Sequence, residues 1–287
     1  MSRISETDLI INPDGSIYHL NLRPEDLATT IITVGDPDRV PEVSRYFDKV
    51  EPRKGKREFI THTGYLGNKR ISVVSTGIGT DNIDIVLNEL DALVNINFAT
   101  REINETLVSL DVIRIGTSGA IQHDLPMGTI LASSYGLGLD TLMNYYVAQE
   151  DAHESELLKS IRGQLTGFEA AVPYLNSSSN TLMAKIAGEL PRGITVTAPG
   201  FYAPQGRNVR ATAKYPLLID QLAAFSMGEH RITNLEMETA GIYALSKILG
   251  HQALSINAVL ASRVNLTFSE QPQAVVDHAI QYVLSKI

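Results

Sequence analysis

The stretch Thr30-Ile31-Ile32-Thr33-Val34-Gly35-Asp36-Pro37-Asp38-Arg39-Val40 decides the architecture. Its first five residues are all β-branched, and such a run reads as a strand buried on both faces. Gly35 and Pro37 break the strand and open a turn toward the next element. Similar runs recur at residues 70–75, 112–115, 129–133, 194–197 and 253–261. Helix-period stretches lie between several of them. Residues 81–94 place Ile83, Val86, Leu87, Leu90 and Val94 on one stripe, and residues 182–190, 217–225 and Thr239–Leu249 are patterned alike. The last helix has Pro272 in its first turn and gathers Val275, Val276, Ala279, Ile280, Val283 and Leu284 on one face. Strands alternating with helices predict an α/β fold, read as one domain over residues 1–287. Residues 95–110 are irregular, a loop or an inserted helix, and the Ser-rich residues 176–180 are a loop.

Composition narrows the function. The 287 residues carry 24 Lys+Arg against 32 Asp+Glu, a net charge of −8, and 44% are hydrophobic, which is globular rather than disordered. There are no cysteines, so disulfides, thiolate zinc sites, iron–sulfur clusters and cysteine nucleophiles are excluded. The acidic balance argues against nucleic acid as a partner. The one basic run, Arg53-Lys54-Gly55-Lys56-Arg57, reads first as a solvated face. Met1–Glu6 lacks the apolar run of a signal peptide, and no stretch reaches the ~18 apolar residues of a membrane span. A cytoplasmic location without membrane partners is therefore expected.

Five motifs carry chemistry. In Gly35-Asp36-Pro37-Asp38-Arg39-Val40, a glycine lets backbone N–H groups approach an anion, and Arg39 offers a two-pronged fork; the plain alternative is a strand-to-helix turn. In Arg114-Ile115-Gly116-Thr117-Ser118-Gly119-Ala120, an arginine sits inside an apolar strand, where burial is costly without a partner. Small and hydroxyl residues follow where that strand is expected to end; the alternative is a turn, with Arg114 paired to a core carboxylate. Thr76-Gly77-Ile78-Gly79-Thr80 lacks the third glycine of a dinucleotide fingerprint, since Asn82 stands there, and reads as a backbone crossing near the site. Asn234-Leu235-Glu236-Met237-Glu238-Thr239-Ala240 sets two carboxylates on one side of an extended segment, suited to a pair of sugar hydroxyls; the alternative is acids complementing a helix N-terminus. Phe201-Tyr202-Ala203-Pro204-Gln205-Gly206-Arg207 combines an aromatic face, an amide and a guanidinium, a reader for a planar base or else a surface turn.

In this order the motifs resemble the nucleoside phosphorylase superfamily, and within it the uridine phosphorylase branch, from about Tyr18 to the C-terminal helix. The resemblance implies a three-layer-like fold with a central mixed, partly barrel-like sheet flanked by helices. It implies reversible phosphorolysis of uridine, with deoxyuridine or thymidine, to the free base and a pentose 1-phosphate. Phosphate would be bound by Gly35, Arg39, Arg57, Arg114 and Thr117. Ribose would be held by His19, Glu236, Met237 and Glu238, with Glu238 on the 2′/3′-hydroxyls. The base would meet Ser118, Gly119, Phe201, Gln205, Arg207 and Arg263. Arg39, Arg114, Glu238 and Arg207 would carry the catalysis. Two alignments compete for the arginine that supports the base: one selects Arg263, the other places Leu266 there. No resident metal or organic cofactor is implied, phosphate being a co-substrate. The family's monovalent-cation site maps to Glu58, Ile78 and Asn82. His19 and Arg57 match residues that reach a partner's site, which implies at least a dimer, with three dimers as a hexamer.

A purine nucleoside phosphorylase would carry an acid after Ser262, where Arg263 stands. A nucleosidase using water has no need of three arginines around phosphate. A catalytically silent nucleoside-binding protein would share the fold without phosphate-dependent base release.

Overall fold

The computed structural model describes residues 3–149, 151–167 and 172–287. Met1 and Ser2, part of the N-terminal reading, lie outside the described residues. The chain groups into two compact units, Met1–Ile113 with Leu249–His251, and Arg114–Ile248 with Gln252–Ile287.

The first unit opens with β1 (Thr30–Val34) and α1 (Arg39–Ser44), joined by the expected turn. Then come β2 (Lys49–Lys56), β3 (Phe59–Leu66), β4 (Lys69–Ser75) and α2 (Thr80–Asn95). β1 pairs with β4 in parallel, while β4, β3 and β2 form antiparallel hairpins, leaving β2 at the edge. Helix α1 lies against β3 and β4, with Ser44 Oγ 2.8 Å from His62 Nδ1. Helix α2 buries Ile83, Val86, Leu87, Leu90 and Leu93; Val94, expected on that stripe, is only half-buried. Of residues 95–110 only Asn95, the last residue of α2, is helical. The others form a small hairpin of β5 (Ile96–Asn97) and β6 (Glu102–Ile103), with Arg101 in the left-handed region at φ 59°. Asn95 anchors this excursion: its Oδ1 accepts from Val108 N at 2.7 Å and its Nδ2 donates to Val108 O at 3.1 Å. Strand β7 (Asp111–Ala120) starts in this unit and continues into the second.

The second unit continues with β8 (Ile130–Gly138), α3 (Ala152–Gln164), β9 (Tyr174–Ser177), α4 (Asn180–Ile186) and β10 (Arg192–Thr197). It is completed by α5 (Leu218–Ala224), β11 (Ser226–Met227), β12 (His230–Glu236), α6 (Thr239–Leu249), β13 (Gln252–Ser262), β14 (Thr267–Phe268) and α7 (Pro272–Lys286). Neighbouring strands run β12-β10-β8-β13-β7, and β7 pairs back onto β12 through Gly119 with Leu235 and Ala120 with Asn234. Five strands thus close a barrel. Helices α3, α4, α5 and α7 pack on strands of this unit. Parallel and antiparallel pairs mix in a partly barrel-like sheet flanked by helices, as expected of this α/β class.

Two expectations need correction. The strand expected over residues 112–115 does not end at Gly116 but runs to Ala120. Ile121 N donates to Thr233 O at 2.9 Å and Ala120 O accepts from Arg263 N at 2.7 Å, so neighbouring chain satisfies the backbone that a turn would have satisfied locally. Likewise residues 176–180 are not a loop throughout: β9 covers Asn176 and Ser177, and Ser179 caps α4 by accepting from Leu182 N.

Gly136 on β8 decides how close α6 can come. A Cβ there would lie 2.7 Å from Ala240 Cα and 2.9 Å from its N, both backbone atoms that cannot step aside. Gly136→Ala is therefore expected to destabilise the protein by about 1–3 kcal/mol through overpacking, read as a lowered urea midpoint and Tm.

Candidate functional site

The second unit buries a guanidinium. Arg114 leaves β7 and folds back over Gly116, two residues on and on the same face. A Cβ at Gly116 would overlap the guanidinium, only 2.3 Å from its Cζ, so this position has room only for glycine. Arg114 Nη2 meets Glu238 Oε2 at 2.5 Å and Glu236 Oε2 at 3.0 Å, while Nη1 donates to Asn257 Oδ1 at 3.0 Å. Burial opposes the charge on Arg114, but the two carboxylates outweigh it and hold its pKa above the ordinary value.

The two glutamates differ. Glu236 ends β12 and accepts from Thr197 Oγ1 (2.7 Å), Glu238 N (3.0 Å), Thr239 N (3.0 and 3.1 Å) and Arg114. A carboxylate offers about four lone-pair directions, so these donors use its capacity. Glu236 thus holds the N-terminus of α6 and orients Arg114. The sequence alternative, acids complementing a helix N-terminus, describes Glu236. Buried Glu238 and half-buried Met237 follow it, and Thr117 on β7 is half-buried.

The loop after β10 forms a second cluster in the same unit. A short 3-10 turn, Ala203–Gln205, ends at Gly206 in the left-handed region. Gln205 is buried, and its Oε1 accepts from Arg207 Nη1 at 2.7 Å; the same Nη1 donates to Phe201 O at 2.6 Å. The Arg207 guanidinium lies 3.7 Å over the Phe201 ring, a cation–π contact. Arg263 Nη2 donates to Gly206 O at 3.1 Å, and its Cγ lies 3.4 Å from where a Cβ on Gly119 would be. Leu266, the competing choice for this position, is 83% exposed, so Arg263 is the arginine that joins the loop. Burial lowers the pKa of both arginines, and for Arg207 the like charge of Arg263 adds to the effect. Among the described residues neither guanidinium has a carboxylate partner. Ser118 stands apart from this loop and accepts from Asn234 Nδ2 at 2.9 Å.

The first unit holds the remaining candidates. The Gly35 turn packs against the Thr76–Thr80 backbone: Thr76 N donates to Val34 O at 2.8 Å, and a Cβ on Gly35 would lie 3.5 Å from Gly77 O. That is the expected crossing. Arg39 starts α1. Arg57 stands at the tip of the β2–β3 hairpin at φ 57°, a conformation that glycine adopts more easily. Ser75 Oγ braces that tip by donating to Glu58 O at 2.6 Å and accepting from Ile60 N at 2.7 Å. His19 Nδ1 lies 2.7 Å from Glu89 Oε1, and Glu89 also accepts from the backbone N of His19 and Leu20. Glu58 and Asn82 both approach Gly77, and Asn82 Nδ2 donates to Ile78 O at 3.5 Å.

Sequence reasoning missed Gly116, Asn257 and Glu89 as supports. Asn257 was detectable, being an amide inside the apolar run 253–261, where a buried polar group needs a partner.

The phosphorylase superfamily matches residues 29–284, and the chain belongs to that family. Among its relatives is a uridine phosphorylase of Thermococcus kodakarensis, 29% identical over 257 residues that cover 90% of this chain and 81% of that protein. The uridine phosphorylase of Escherichia coli is 27% identical over 277 residues, 93% of this chain and 95% of its own. A solved nucleoside phosphorylase of Trypanosoma brucei, described as showing uridine phosphorylase activity, superposes with a TM-score of 0.89 at 29% identity, covering 97% of this chain and 99% of that one.

Gly116→Ala is expected to displace the Arg114 guanidinium and lower activity at least tenfold, a transition-state loss of about 1.4 kcal/mol or more. Steady-state assays with a melting curve check this; unchanged kcat/KM would show that the guanidinium position is irrelevant.

Proposed function

We propose that the protein is a uridine phosphorylase, a pentosyltransferase that cleaves uridine with inorganic phosphate. The observation that carries this reading is the pair of buried Gln205 and half-buried Arg207 beside Arg263 in the family's base-reading loop. An amide and two guanidiniums offer N–H donors to carbonyl oxygens, and the amide oxygen can accept from a ring N–H. That pattern fits the O2, N3 and O4 edge of a pyrimidine. A base lacking the matching edge leaves these groups unpaired, at roughly 1–3 kcal/mol each.

The reaction follows from charge. A phosphate oxygen attacks C1′ as the C1′–N1 bond breaks, through an oxocarbenium-like state. The bonding pair leaves with the pyrimidine, which then takes a proton, and ribose 1-phosphate is the other product. Donors from Arg207 and Gln205 strengthen as negative charge grows on the base, and this differential stabilisation is the source of rate. Phosphate is assigned to Gly35, Arg39, Arg57, Arg114 and Thr117 by the motifs that carry them. Ribose is assigned to His19, Glu236, Met237 and Glu238, with Glu238 on the 2′/3′-hydroxyls. No organic cofactor enters this scheme. The cation assignment stays with Glu58, Ile78 and Asn82, supported by their gathering around Gly77.

We place the protein in the cytoplasm, supported by its lack of cysteine. Among the described residues no helix is long and apolar enough to cross a membrane. The resemblance of His19 and Arg57 to residues acting across a dimer supports a homo-oligomer of at least two chains, with three dimers as a hexamer.

Uracil release from uridine should require inorganic phosphate, and Arg207→Ala should lower uridine turnover at least tenfold. Equal release without phosphate, or inosine cleaved as fast as uridine, would contradict the assignment.

A further inference from the structure

The barrel interior of the second unit carries polar side chains where apolar ones would pack more simply. Asn257, Ser133, Thr195 and Asn234 are fully buried and come from four different strands, β13, β8, β10 and β12. They form one line. Arg114 Nη1 donates to Asn257 Oδ1 at 3.0 Å, and Asn257 Nδ2 donates to Ser133 Oγ at 3.0 Å. Ser133 Oγ lies 2.6 Å from Thr195 Oγ1, Thr195 donates to Asn234 Oδ1 at 2.8 Å, and Asn234 Nδ2 donates to Ser118 Oγ at 2.9 Å.

Chemistry fixes the direction at the Arg114 end. A guanidinium has no acceptor, so Asn257 must turn its oxygen to Arg114 and its NH₂ away. Thr195, which gives its proton to Asn234, receives one from Ser133. Five hydrogen bonds therefore run head to tail from Arg114 to Ser118, and such chains reinforce one another in a low-dielectric interior. Asn257 Nδ2 has a second acceptor, Ser255 Oγ at 3.2 Å, so the amide is held from two sides.

We propose that Asn257 is a positioning residue that aims the Arg114 guanidinium without neutralising it, and thereby sets the affinity for phosphate. This rests on the reading of Arg114 as a phosphate-binding residue. Arg114 already meets two carboxylates, Glu236 and Glu238. A third anion would hold it equally well but would compete with an incoming phosphate. A neutral amide supplies the acceptor and leaves the field unchanged. The carboxylates take Nη2 and the amide takes Nη1, so the fork is gripped at both tips.

The experiment measures kcat and both KM values for the whole enzyme and three variants, with melting curves. In Asn257→Asp the acceptor remains but a negative charge is added, so the KM for phosphate should rise about tenfold while that for uridine stays within about twofold. In Asn257→Leu the grip is lost, and the same split is expected with a lower kcat. Should either variant fail to fold, Ser133→Ala removes one support of the amide and should raise the phosphate KM about threefold at unchanged uridine KM. Equal rises in both KM values, or no rise in the phosphate KM of the folded variants, would overturn the proposal. A wild-type enzyme that releases uracil without phosphate would instead overturn the functional reading beneath it.

Discussion

A positive charge inside a barrel is the constraint on which the second unit depends. Removing a guanidinium from water costs several kcal/mol unless charge and hydrogen bonds replace the lost hydration. Around Arg114 two glutamates and an asparagine do so. Their placement dictates much else. Residue 116 must be glycine because the guanidinium occupies the space a side chain would need. Glu236 must end β12 where it can also accept from the first N–H groups of α6. Helix α6 must start close to β8, which Gly136 permits. One buried ion group thus fixes a strand, a helix start and two glycines.

The loop after β10 solves a related problem differently. Arg207 and Arg263 have no carboxylate among the described residues. Their partners are carbonyl oxygens, an amide and an aromatic face. Such groups satisfy a guanidinium only in part, and burial with mutual repulsion leaves Arg207 with a lowered pKa. Donors that are incompletely satisfied beforehand gain most when negative charge develops nearby. Arg114 is tightly compensated by two carboxylates, and Arg207 is not.

Much of this was legible in the sequence, and the exceptions share causes. β1, β4, β10 and β13 were visible as short apolar runs with Ile and Val, and α6 and α7 were visible by period and by Pro272. β2 was hidden because an edge strand of Lys, Glu, Pro, Arg and Gly carries no apolar run. β12 was hidden because Thr233 donates to the Ile194 carbonyl and Asn234 accepts from Thr195, so polar residues fill places where hydrocarbon would show as an apolar run. The end of β7 was misjudged because its glycines serve a close approach, not a turn. Among site residues, Arg114, Arg207 and Glu238 stood out as charges in motifs. Glu236 was also found, but its bonds to Thr197, Thr239 and Arg114 were not legible, since only the structure shows how many donors surround it. Asn257 lies 143 residues from Arg114 in sequence, and nothing local connects them.

The proposed phosphate contact depends on the Arg114 fork and not merely on its charge. Lysine retains the charge and loses the planar pair of donors. The most direct measurement is the KM for phosphate of Arg114→Lys at saturating uridine, on protein shown to be folded by its melting curve. A rise of at least tenfold is expected, with the KM for uridine little changed. A phosphate KM equal to that of the unaltered enzyme would contradict it.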